Sequence, residues 1–62
     1  MQFNVPTIDS SESANKLKET ILTSEPDAKV EVDSDSKMVT INSQASEETF
    51  KQLIVAAGHK IS

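Results

Sequence analysis

Apolar residues recur along this chain with two different periods, and the switches between them divide it into six segments. From Gln2 to Pro6 polar and apolar positions alternate, with Phe3 and Val5 on one side, the pattern of a strand buried on one face. Pro6 has no N–H to donate and ends the pairing. The period then lengthens: Ala14, Leu17 and Ile21, with Leu22 beside them, form the single apolar stripe of a helix. Asp9 is placed to accept from the free N–H groups of its first turn and Glu12 to reach back, an acidic form of the capping box. Ser24-Glu25-Pro26-Asp27 stops this helix, because proline cannot continue the ladder and disfavours helical geometry in the residue before it.

Alternation returns at Ala28, Val30 and Val32, set against Lys29, Glu31 and Asp33. Asp33-Ser34-Asp35-Ser36-Lys37 has the composition of a turn. Val39 and Ile41, alternating with Met38, Thr40 and Asn42, bring the chain back as the other arm of a hairpin. Ser46 suits an N-cap, Glu47 and Glu48 suit the positive end of a helix dipole, and Phe50, Leu53, Ile54 and Ala57 repeat at helical spacing. Gly58 is expected in the left-handed conformation that closes a helix, which leaves His59 to Ser62 as a short final strand.

The order strand, helix, strand, strand, helix, strand predicts one α+β domain over residues 1–62. It is a ferredoxin-like βαββαβ sandwich, with a four-stranded antiparallel sheet and two helices on one face. Many functions share this arrangement, so function has to come from particular residues.

Composition excludes several classes. A chain of 62 residues buries a small core, with a net stability of roughly 3–5 kcal/mol. There is no cysteine, hence neither a disulfide framework nor a thiolate metal site. Ten acidic residues against six lysines give a net charge of −4, which opposes the counterion release that drives nucleic-acid binding, and no tryptophan or tyrosine offers a stacking platform. The N-terminal stretch lacks a basic region followed by an apolar one, and the longest apolar run, Leu53 to Ala57, is too short to span a bilayer. A soluble, cytoplasmic protein that neither binds nucleic acid nor inserts into a membrane is the expectation. Catalysis finds no support: there is no cysteine nucleophile, the serines have no neighbouring base, His59 has no partner for a triad, and one glycine builds no phosphate cradle.

Phe3-Asn4-Val5-Pro6, the hairpin Val30-Glu31-Val32-Asp33 to Lys37-Met38-Val39-Thr40-Ile41, and the ending Ala56-Ala57-Gly58-His59-Lys60-Ile61 together resemble the heavy-metal-associated domain of small copper metallochaperones and of copper-transporting P-type ATPases. The resemblance covers the whole chain. Val5-Pro6-Thr7-Ile8 and Ala57-Gly58-His59 look especially like the cyanobacterial copper chaperones. It implies Cu(I) as the metal of the family, intracellular metal trafficking as its function, and the N-terminal metal-binding domain of a copper-transporting P-type ATPase as partner, with a weak homodimer as a further expectation. It also implies that His59 lies close to the metal loop as an auxiliary ligand, and that Ile8, Asp9, Ser11, Glu12, Lys16 and Lys60 belong to a docking surface.

The departure lies in the ligands. The family signature is Met-x-Cys-x-x-Cys, and the matching residues here are Ile8, Ser10 and Ser13. Soft thiolates select Cu(I), whereas a serine hydroxyl is a hard, neutral donor, so no cofactor is expected for this chain as given. Either the chain is a natural degenerate member of the family or two cysteines have been replaced by serine; restoring both gives Ile-Asp-Cys-Ser-Glu-Cys-Ala, a working loop. Ser10 and Ser13 also read as ordinary residues of a helix start. Asp9, Glu12 and His59 form a candidate set for a harder ion such as Zn(II), a weak one because two of them already have capping roles. The alternative to trafficking is a metal-free protein–protein interaction module that keeps the fold and docking surface, with Lys16, Lys18 and Lys60 tuning partner choice.

Overall fold

Five of the six segments form the expected elements in the computed structural model, which describes residues 1–62. They are β1 (Gln2–Asn4), α1 (Ser11–Ser24), β2 (Lys29–Asp33), β3 (Met38–Asn42) and α2 (Glu47–Ala56). The sheet order is β1-β3-β2, with both neighbours of β3 antiparallel to it, so β1 and β2 run parallel and α1 crosses between them. Phe3 stands opposite Val39, and Val30 opposite Ile41. This register puts the apolar member of each alternating pair on one face, where both helices cover it.

That face supplies Phe3, Val5, Val30, Val39 and Ile41 to a core completed by Ala14, Leu17 and Ile21 of α1, by Phe50 and Ile54 of α2, and by Ile8 and Ala28 from the connections. No buried polar side chain interrupts it. The residues on the outer face, among them Gln2, Asn4, Glu31, Thr40 and Asn42, are exposed, as an antiparallel sheet covered on one side requires.

The structure corrects the expected four-stranded sheet to three strands. Segment 59–62 lies against β1 but adds one backbone hydrogen bond, from the Ser62 N–H to the Asn4 carbonyl at 2.9 Å. Two of its other donors are spent elsewhere: the His59 N–H closes α2 on the Ile54 carbonyl, and the Lys60 N–H goes to the Thr7 hydroxyl. A ladder needs successive backbone pairs, and here two of the four amides are diverted. The apolar stripe of α2 is also one residue shorter than expected. Ala57 is the C-cap and is exposed.

Candidate functional site

The site is built where β1 gives way to α1. Val5 donates to the Lys37 carbonyl at 2.8 Å, and Ile8 donates back to the Val5 carbonyl at 3.1 Å, so the chain turns sharply after the strand. The Ile8 side chain then enters the core with none of its surface exposed. Burial of Ile8 corrects its expected place on the docking surface, since its side chain is unavailable to any partner. Its carbonyl accepts from the Lys37 ammonium, which reaches across from the β2–β3 turn. Lys37 itself has a positive φ of 61°.

Two residues beyond the anchored Ile8, Ser10 caps the helix. Its backbone is extended (φ −162°, ψ 165°), and its Oγ accepts from the Ser13 N–H at 3.0 Å while its carbonyl accepts from Ala14. Ser10 is therefore the N-cap of α1, in place of Asp9, and Glu12 contributes by its charge in the first turn. Both serines sit at the tip of the molecule. Ser10 is exposed and Ser13 half-buried.

The far wall of the site comes from the end of α2. Gly58 takes φ 91°, its N–H donates to the Val55 carbonyl at 3.0 Å, and the His59 N–H donates to Ile54 at 3.2 Å. This paired ending with glycine at the left-handed position is a Schellman motif. It turns the chain back over the loop and delivers His59 to Thr7, whose Oγ1 lies 2.8 Å from His59 Nδ1 and accepts from the Lys60 N–H at 3.0 Å.

Asp9, Ser10, Glu12, Ser13, Lys16 and His59 line one shallow groove, floored in part by Leu17 and Ala57. Ser11 and Lys60 are exposed beside it. No three of the chain's His, Asp and Glu side chains are arranged to hold a metal ion, so Asp9, Glu12 and His59 do not form the convergent set considered for Zn(II). The one ion pair, Lys51 with Glu47 at 3.7 Å, lies on α2, which leaves Asp9, Glu12, Lys16 and Lys60 free of charged partners. Sequence reasoning missed two residues that shape the groove, Thr7 and Lys37. Their partners lie 52 and 29 residues away, and no local pattern announces such pairings.

Solved structures with this fold are similar over the full chain. The copper chaperone Atx1 from Synechocystis PCC6803 shares 35% identity with a TM-score of 0.90, covering 100% of this chain and 98% of its own. A structure concerned with crosstalk between Cu(I) and Zn(II) homeostasis shares 35% over the same spans with a TM-score of 0.93. A cyanobacterial copper metallochaperone in solution, ScAtx1, shares 35% with a TM-score of 0.81, covering 100% of this chain and 97% of its own. No protein-family model and no curated protein sequence matches the chain.

Proposed function

Because the chain belongs to the Atx1-type copper chaperones of the heavy-metal-associated family, close to the cyanobacterial type, we propose that it is a metal-trafficking domain whose loop has lost its hold on Cu(I). Its partner in this reading is the N-terminal metal-binding domain of a copper-transporting P-type ATPase. The observation that carries the proposal is the use to which Ser10 is put. Its oxygen serves as a helix cap for Ser13 at the position where the family signature has its first thiolate, and a capping hydroxyl is no soft ligand.

Cu(I) is cargo in this family, and the donor set here does not fit it. Two hydroxyls that keep their protons at neutral pH supply neither charge nor polarizable electrons. What the domain keeps of the family's role is docking, and no residue set for catalysis accompanies it. Asp9, Ser11, Glu12, Lys16 and Lys60 surround the loop as the polar rim that a partner would meet, and their charges act on partner choice and association rate more than on affinity.

A Cu(I) competition titration against a chromophoric chelator tests this on the present chain and on a Ser10→Cys, Ser13→Cys double variant. Only the variant should withdraw copper. Failure of the variant would mean that the fold has kept its shape and lost the trafficking site, and withdrawal by the present chain would mean that the serines have been misread.

A second reading is favoured by one feature of the loop: its own hydrogen bonds, Ser13 to Ser10 and Thr7 to the C-terminal segment, hold it without an ion. A metal-free interaction module would bind its partner domain in chelator-treated buffer, with amide shift changes confined to the loop and the start of α1.

A further inference from the structure

We propose that Thr7 is a positioning residue, which ties the C-terminal segment to the loop and fixes the ring of His59 so that Nε2–H is the nitrogen offered to a docking partner. The proposal deepens the docking reading and rests on it for the role of the groove. Its geometry stands on two hydrogen bonds. Thr7 Oγ1 accepts from the Lys60 N–H at 3.0 Å, and its remaining partner is His59 Nδ1 at 2.8 Å.

A hydroxyl has one proton and two lone pairs. In the proposed arrangement Lys60 occupies one lone pair of Thr7 and the hydroxyl proton goes to Nδ1, the protein acceptor 2.8 Å away. A ring nitrogen that accepts is unprotonated, so in this arrangement the neutral imidazole carries its hydrogen on Nε2. His59 lines the groove beside Asp9, Ser10 and Glu12. It therefore presents a donor there, suited to an oxygen acceptor on a partner protein.

The sequence supports the role from both ends. Gly58, at φ 91°, turns the chain so that His59 and Lys60 arrive together, and Pro6, which fixes its own backbone, precedes the threonine that receives them. One side chain thus closes contacts across 52 and 53 residues. Valine is nearly isosteric with threonine and can make neither bond, while serine can make both.

Long-range ¹H–¹⁵N correlation spectra of the His59 ring, recorded where the ring is neutral, test the proposal. In the unaltered chain Nδ1 should resonate as the unprotonated nitrogen and Nε2 as the protonated one. Thr7→Val should mix the tautomers and speed exchange of the Lys60 amide by roughly five- to tenfold, the scale of one lost hydrogen bond. Thr7→Ser should restore both signatures, a rescue that loss of packing alone would not give. A proton on Nδ1 in the unaltered chain overturns the proposal, as does a Thr7→Ser spectrum that matches Thr7→Val. Should Thr7→Val fail to fold, the unaltered chain and Thr7→Ser still decide. Failure of the double cysteine variant to gain Cu(I) would overturn the trafficking reading and leave the His59 spectrum as it is.

Discussion

At the tip of the molecule one hydroxyl oxygen decides how α1 begins. Ser10 accepts from the Ser13 N–H at 3.0 Å and so satisfies one of the N–H groups that a helix leaves free in its first turn. Neighbouring Asp9 is exposed and accepts no hydrogen bond from the turn. Ser10→Ala should therefore cost about 1 kcal/mol in urea unfolding. Asp9→Ala should stay within about 0.5 kcal/mol, the range of ordinary surface changes. The reverse order of the two would move the cap to position 9. Ser10→Cys shares the loss, because a thiol is a weak acceptor, so the loop that would regain a metal ligand gives up its cap to do so.

The β2–β3 turn behaves as an element with its own acid limit. Asp33 Oδ1 accepts from the Asp35 N–H at 2.9 Å and from the Ser36 N–H at 3.5 Å. These bonds favour the charged carboxylate and hold its pKa below the ordinary aspartate value. A depressed folded pKa contributes stability above the ordinary value, near about pH 4, and loses it as pH falls through the lower folded one. The Asp35 and Ser36 amide shifts should accordingly titrate together below about pH 4, and Asp33→Asn should abolish that step; a midpoint at or above the ordinary value would contradict the turn geometry. Elements of this kind were legible in the sequence because their signals are local. The stripes of Ala14, Leu17 and Ile21 and of Phe50 and Ile54 are buried, Ser46 caps α2, and Gly58 ends it. The start of α1 was misplaced by one residue because Asp9 and Ser10 are both good caps by residue type, and it is Ser10 that accepts from the Ser13 N–H. The final strand was misread because its amides answer to Ile54 and Thr7, a tertiary fact without a local trace. Within the site, the spacing of Ser10 and Ser13 was readable, whereas the hydrogen bond from Thr7 to His59 was not.

The whole molecule depends on a core to which every element contributes and in which no polar side chain is buried. The groove inherits that dependence: its walls are the start of α1 and the segment after α2, and the two helices meet over the same sheet face. Phe50 is the largest side chain with no exposed surface, which makes it the most informative position to shorten. Phe50→Ala removes about 3–5 kcal/mol through lost transfer energy and the cavity left behind. A 62-residue domain without a disulfide holds about the same amount in total, so this variant should show no cooperative urea transition and little helical signal in far-ultraviolet circular dichroism at 25 °C. Phe50→Leu keeps much of the volume, costs about half as much, and should unfold cooperatively at a lower midpoint. Val55, exposed at 58% on the same helix, gives the control: Val55→Ala should leave the midpoint nearly unchanged. A cooperative transition retained by Phe50→Ala would mean that the margin exceeds what a core of this size supplies, and the stabilising contribution would then have to be sought outside it, first in the hydrogen bonds that Thr7 and Lys37 make across the loop.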